Sequence, residues 1–169
     1  MAALENLLKN LNLFVDGRSK AGNVEEVTLP KLTIKTEEMR AGGMDMGVDV
    51  DMGMEKQELG YSLSSFDPEV LKLVGLAPGN NKSITIRGAL ESEDGTVKPA
   101  VINARGKHRE ADPGTWKPGD KASLKMMVTL DYYKLTIGGE VIHEIDAKNM
   151  IRIIDGVDQL AEMRAALGV

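Results

Sequence analysis

The stretch Lys121-Ala122-Ser123-Leu124-Lys125-Met126-Met127-Val128-Thr129-Leu130, continuing through Asp131 to Ile137, decides the fold class. Ala122, Leu124, Met126, Val128 and Leu130 share one face; Lys121, Ser123, Lys125 and Thr129 share the other. That period of two belongs to an extended strand with one wet face. Gly138-Gly139 then supplies the backbone freedom of a tight hairpin, and Glu140 to Ile154 returns as the partner strand.

Working outward, the same alternation recurs upstream. In Val97 to Arg109, Ala100, Ile102 and Ala104 oppose Asn103, Arg105, Lys107 and Arg109. Glu93-Asp94-Gly95-Thr96 marks the turn joining this run to a strand over Ser83 to Leu90. Met54 to Phe66 alternates through Leu59, Tyr61 and Leu63. Asp67-Pro68-Glu69 reads as a helix start, with an N-cap acid and proline in the first turn. That helix carries Val70, Leu71, Leu73 and Val74 and can end at Gly75, before a turn at Pro78-Gly79-Asn80-Asn81. Val24 to Met39 reads as a long strand, on an edge or bent at Pro30. Ala41 to Gly53, with Gly42, Gly43, Gly47 and Gly53, reads as a long loop. Leu4, Leu7, Leu8 and Leu11 fit either a short amphipathic helix or a terminus that orders only against a partner. Asp112 to Asp120 is a loop, Asp155-Gly156 a turn, and Val157 to Leu167 a C-terminal helix. The expected fold is mainly β: an antiparallel barrel or sandwich of about seven strands with one or two short flanking helices, in one domain over residues 1–169.

A chain of 169 residues can bury a real core without metals or disulfides. Its net charge of −5 disfavours tight nucleic-acid binding, which rests on neutralising phosphates, but leaves loose passage of DNA open. Cysteine is absent, so there is no disulfide framework or thiolate metal site. Aromatic residues make up 4%, too few for a base-stacking platform. Glu5, Asn6, Lys9 and Asn10 break any signal-peptide core near the N-terminus, and no apolar run has the length of a membrane span.

Catalytic and ligand patterns are thin. His108 and His143 fall in different strands and read as lone surface histidines. Asp45, Asp49 and Asp51 crowd the glycine-rich segment but lack the order of a calcium loop. Pro78 to Ser83 ends in Lys-Ser, yet lacks the second glycine and the long helix of a phosphate loop. Arg105, Lys107 and Arg109 form a basic stripe that alone reads as a solvated face. Met44, Met46, Met52 and Met54 cluster around the glycine-rich segment; methionine suits surfaces that repack against a neighbour, which points to self-association.

Several phrases, in order, carry a resemblance: Asn12-Leu13-Phe14-Val15-Asp16-Gly17, Val27-Thr28-Leu29-Pro30-Lys31-Leu32-Thr33, Arg40-Ala41-Gly42-Gly43-Met44, Phe66-Asp67 and Arg87-Gly88-Ala89. Arg105-Gly106-Lys107-His108-Arg109-Glu110, Glu144-Ile145-Asp146-Ala147-Lys148-Asn149-Met150 and Asp155-Gly156-Val157-Asp158 follow. Their succession, over nearly the whole chain, resembles the major tail tube protein of contractile-tailed temperate phages and of the R-type bacteriocins derived from them.

The resemblance implies two antiparallel sheets with a flanking helix, six-fold rings, and rings stacked into a hollow tube inside a contractile sheath. Strands of the subunits join into one barrel around the lumen. It implies further partners in the sheath, baseplate and tail terminator, passage of DNA or ions through the bore, and no active site, cofactor or small-molecule substrate. Such a subunit sits in the tail of a virion or bacteriocin particle and is assembled in the host cytoplasm. The long loop, about residues 40–54, is then the inter-ring contact, with Arg40, Gly42, Gly43, Met44, Asp45, Met46 and Met52 as its residues. Candidates for the lumen, taken from polar strand faces, are Lys35, Glu37, Lys56, Glu58, Asn103, Arg105, Lys107, Lys125 and Thr129. That set holds five cations against two anions, whereas an acidic bore would let DNA slide. Either some of these residues pair between subunits or the face is misassigned. Free subunits should stay monomeric or in rings until a baseplate nucleates them, with the loop mobile. Two other readings compete: the ring protein of a type VI secretion or other contractile injection system, and a β-barrel hydrolase or binding module, which would need a pocket of convergent polar groups.

Overall fold

The computed structural model describes residues 3–75 and 77–169. In chain order the strands are β1 (Leu7–Val15), β2 (Arg18–Ser19), β3 (Val24–Thr28), β4 (Ile34–Met39), β5 (Val48–Met54) and β6 (Gln57–Leu63). Helix α1 (Pro68–Leu71) follows, then β7 (Lys82–Glu91), β8 (Val97–Asp112), β9 (Leu124–Ile137), β10 (Glu140–Asp146), β11 (Ile151–Ile154) and β12 (Val157–Asp158), and last α2 (Ala161–Leu167). All strand pairings are antiparallel.

Strand β9 is the trunk. Along one edge it pairs with β8 throughout. Along the other its first half, Leu124–Leu130, pairs with β6, and its second half, from Tyr132, pairs with β10. The sheet therefore forks: β3 continues outward from β6, and β11 and β12 from β10. On the far side the order runs β8, β7, β1, β2. Leu59, Tyr61 and Leu63 of β6 close over Leu13, Ile84, Ile86, Ile102 and Ala104, with Leu124, Met126, Val128 and Leu130 between them, so the inner faces form one core.

Two bulges in the β8–β9 ladder shift its alternation. Arg105 opposes Tyr132 while Gly106 opposes Leu130, so Asp131 is the extra residue on β9. His108 opposes Val128 while Glu110 opposes Met127, so Arg109 is the extra residue on β8. Bulges re-aim side chains, and both carry a charge out of the ladder. After Asp131 the buried positions of β9 move from even to odd numbers, to Tyr133. Between the bulges Gly106 approaches the Thr129 carbonyl so closely that a Cβ there would lie 2.2 Å from its oxygen.

Several expectations change. The N-terminal leucines form neither a helix nor an unordered end: Leu7 to Val15 is strand β1, bulged between Leu8 and Asn10, which breaks its period. The run Val24 to Met39 is interrupted after Thr28, where Pro30 removes a ladder donor. The expected loop Ala41 to Gly53 is half strand: β5 pairs with β4 as a two-stranded arm separate from the main sheet. Glu140 to Ile154 is two strands, broken at a turn over Ala147 to Met150 where Asp146 accepts from the Lys148 and Asn149 amides. Helix α1 spans four residues and is capped as expected, the Asp67 carboxylate accepting from Glu69 N at 2.9 Å. Helix α2 begins at Ala161, later than expected, and none of its residues is buried. His108 is not on the surface: it is fully buried, its Nε2 lying 2.7 Å from the Tyr61 hydroxyl. His143 is half-buried on β10.

Candidate assembly surfaces

Two surfaces stand out, an arm and a charged sheet face. The arm is β4–β5 with its connecting turn. Directly opposed residues share a face. Glu37 faces Val50 and Met39 faces Val48, so one face is largely apolar; Thr36 faces Asp51 and Glu38 faces Asp49, so the other is acidic. Every residue of β4 is exposed, as are Val48, Asp49 and Met52 on β5. A lone two-stranded ribbon gains little from its own burial, and this one also places two carboxylates directly opposite each other.

The turn carries the expected contact residues. Arg40 Nε donates to the Met44 carbonyl at 3.2 Å, the Met44 amide donates to Ala41 O, and Gly43 takes φ +87°. Gly42, Asp45 and Met46 are exposed at the turn, Met46 at 71%. Met52 lies apart from these on β5. At its base the arm is tied to the body by Arg152, whose Nη2 donates to Asp51 Oδ2 at 2.6 Å, while Glu55 N, donating to Thr33 O at 2.9 Å, closes the ribbon's own ladder. The Arg152 guanidinium holds the Asp51 carboxyl below its usual range. Beside this tie a cleft of about 810 Å³, lined by Met52, Met54, Leu130, Met150 and Met163 among others, separates the arm from α2.

The lumen candidates divide. Lys35 and Glu37 lie on the arm, away from the rest. On the main sheet Thr129 stands opposite both Glu58 and Lys107, Lys125 opposite Ser62 and Asp112, and Asn103 between Thr85 and Lys134. Lys56, Glu58, Arg105, Lys107 and Thr129 thus come together across β6, β9 and β8. Lys56 donates to Glu58 and, with Arg109 at 3.0 Å on the same carboxylate, keeps its pKa low. Sequence reading missed the other half of this network. Asp131 receives Asn81 at 2.6 Å, Lys148 at 2.9 Å and Arg105 at 3.3 Å. Arg105 also lies 5.4 Å from the Tyr132 ring centre, and the Tyr132 hydroxyl donates to Glu144. Asp131 and Arg109 are the two bulged residues, and both line a recess of about 400 Å³ with Lys56, Lys107 and Lys148.

The chain matches the model of the phage tail tube protein FII family over residues 5–168. It belongs to that family. It is 34% identical over 171 residues to the tail tube protein of Escherichia phage P2, covering 99% of each chain. To the major tail tube protein of Serratia phage KSP20 it is 34% identical over 157 residues, covering 91% of this chain and 90% of that one. Among solved structures, a chain of the sheath–tube complex of the PVC extracellular contractile injection system superposes with a TM-score of 0.59 at 15% identity, over 75% of this chain and 88% of that one. A chain of the anti-feeding prophage baseplate gives 0.51 at 10% identity, over 83% and 98%. These likenesses carry the fold of contractile-system tube proteins to the tail tube chain described here, and its mainly antiparallel architecture agrees. The arm and the bulged face are therefore features of a structural tube subunit.

Proposed function

We propose that copies of this chain close into six-fold rings that stack into a hollow tube inside a contractile sheath, capped by baseplate and terminator proteins, and that the bore conducts DNA or ions when the tail fires. The observation that carries this reading is the near-complete match to the phage P2 tail tube protein. The arm supports it, since exposed Met39, Met46 and Val48 need a covering surface that a second copy supplies. The role is structural rather than enzymatic: His108, the buried imidazole of the chain, is walled off from any substrate and bonded to Tyr61. The segment of about residues 40–54 makes the contact between rings, its place being the tail of the particle after assembly in the host cytoplasm. The whole chain, 1–169, acts as one tail-tube domain. Identity of 34% to two phage proteins favours this reading over a type VI secretion ring. Purified subunit added to isolated baseplates tests it: sedimentation should show growth of long particles from the seeds, whereas subunits that stay free beside intact baseplates contradict the reading.

A further inference from the structure

The two lateral ends of the main sheet differ in kind. At one end stands β1, which pairs with β2 only at Phe14 and Val15. Ahead of that pairing no strand lies along its outer edge among the described residues. The Leu11 and Leu13 amides donate to the side chains of Asn10 and Asn12, each at 2.8 Å, which blunts this edge against strand addition. The segment leading into β1 is held by the turn at Ser92 and Glu93. Leu4 O accepts from Glu93 N, Leu4 N donates to the Glu93 carboxylate, and Asn6 N donates to the Ser92 hydroxyl. Those bonds use main-chain atoms of the segment and leave the Leu4, Leu7 and Leu8 side chains exposed. The Glu5 carboxylate among them has no partner among the described residues.

At the other end β9 forks into β6 and β10, and the notch of the fork is the cleft of about 810 Å³ between the arm and α2. Leu130, Ile145, Met150 and Met163 give it an apolar wall. Gln57 and Arg152, each more than nine-tenths buried, also line it. Arg152 donates Nη2 to Asp51, but its Nε, like Nε2 of Gln57, has no acceptor. Buried donors are almost always paired, so two orphans beside one cleft mark a place for an acceptor. One amide and one cationic donor suit a carboxylate best.

We propose that the segment leading into β1, Leu4 to Leu8, seats in the fork cleft of a second copy of this chain, its leucines against the apolar wall and the Glu5 carboxylate on the free donors of Gln57 and Arg152. This rests on the tube-subunit reading and names the contact that closes a ring, as distinct from the arm's contact between rings. Segment and cleft match in kind: exposed leucines meet an apolar wall, and an unpaired acid meets unpaired donors. The methionines of the wall adapt to side chains that enter between them. The two also match in place, because they lie at opposite lateral ends of one sheet. Copies joined this way run side by side, head to tail, and a heterologous contact of that kind closes into a ring when its rotation allows. A carboxylate held by two buried donors fixes register as well as adding affinity.

The absence of native cysteine gives a clean test. Leu4→Cys and Met163→Cys variants, both at exposed positions, are mixed, assembled on baseplate seeds and oxidised. A covalent dimer should form in mixed tubes and in neither variant alone. One chain carrying both cysteines should give a ladder of covalent species that stops at a single closed ring. Glu5→Gln, at an exposed position, should raise the concentration needed for assembly about tenfold and leave urea unfolding of the free subunit unchanged. Tubes that form without the dimer, a ladder that runs past one ring, or normal assembly of Glu5→Gln overturns the proposal and leaves the tube reading intact. Wild-type protein that forms neither rings nor tubes on the same seeds overturns the tube reading itself.

Discussion

Arg152 and Asp51, 101 positions apart in sequence, meet at 2.6 Å and hold the arm to the body. The Arg152 side chain is 7% exposed, while that of Asp51 is 45% exposed. The guanidinium is thus fixed in the body and the carboxylate is carried to it by the arm. Asp51→Asn keeps the shape and removes the charge. Hydrogen exchange should speed up across residues 34–54 while amides of β8 and β9 keep their protection; unchanged exchange in the arm would show that the ribbon holds itself in place. Because the Asp51 pKa is lowered, the tie is present above the ordinary carboxylate range and is lost as pH falls through the folded value.

Gly106 is required by close approach between main chains. A Cβ would sit 2.2 Å from the Thr129 oxygen and 2.9 Å from its carbonyl carbon, both backbone atoms. Gly106→Ala must part β8 from β9 beside the bulge, at a cost of about 3 kcal/mol, the upper range for overpacking. Urea unfolding measures this directly. By contrast, a Cβ at Gly42 meets nothing within 4 Å, so Gly42→Ala should leave the midpoint nearly unchanged.

Asp67 caps α1 and also pairs with Lys20, whose side chain is 7% exposed. Asp67→Asn keeps the cap but leaves a buried ammonium unpaired, which costs about 3 kcal/mol. Asp67→Ala loses the cap as well, adding about 1 kcal/mol. Lys20→Met should cost less than either, because no buried charge is stranded and Asp67 keeps its amide bond. Equal costs for all three would show that the pair contributes little. The Lys20 bond holds the Asp67 carboxyl below its usual range, so this part of the stability is complete above that range and disappears as pH falls through the folded value.

Burial lowers the His108 pKa to about 4. An unfolded histidine titrates near 6.5, so between these values the unfolded chain binds the extra proton. Stability from this group is complete above about 6.5 and falls by about 3 kcal/mol as pH drops to 4. His108→Leu should flatten the curve over that window, leaving the carboxylate contributions at lower pH. A wild-type curve parallel to that of the variant from pH 7 to 4 would contradict this.

Legibility in the sequence followed the regularity of the ladder. The β9 alternation from Leu124 to Leu130 appears residue for residue as core. His108 was readable too: Ala100, Ile102, Ala104, Gly106 and His108 keep one parity, and the same inward face carries the imidazole into the core. Strand β5 had its signal, Val48, Val50, Met52 and Met54 alternating with Asp49, Asp51 and Gly53, but aspartate and glycine are poor strand formers and masked it. The bulges left no such trace. They are set by how two strands meet, so the network around Asp131 and Arg109 emerged only with the register. The polar strand residues divide, Lys35 and Glu37 lying on the arm and Lys56, Glu58, Arg105, Lys107 and Thr129 on the main sheet; Asp131, which Arg105 meets, comes from a bulge, and Lys148, which shares that carboxylate, from a turn.

Negative-stain electron microscopy of the purified chain on baseplate seeds tests the central claim most directly. The account predicts hollow tubes in side view and six-fold rings end-on. Solid fibres, rings of another symmetry, or free subunits beside intact seeds would contradict it.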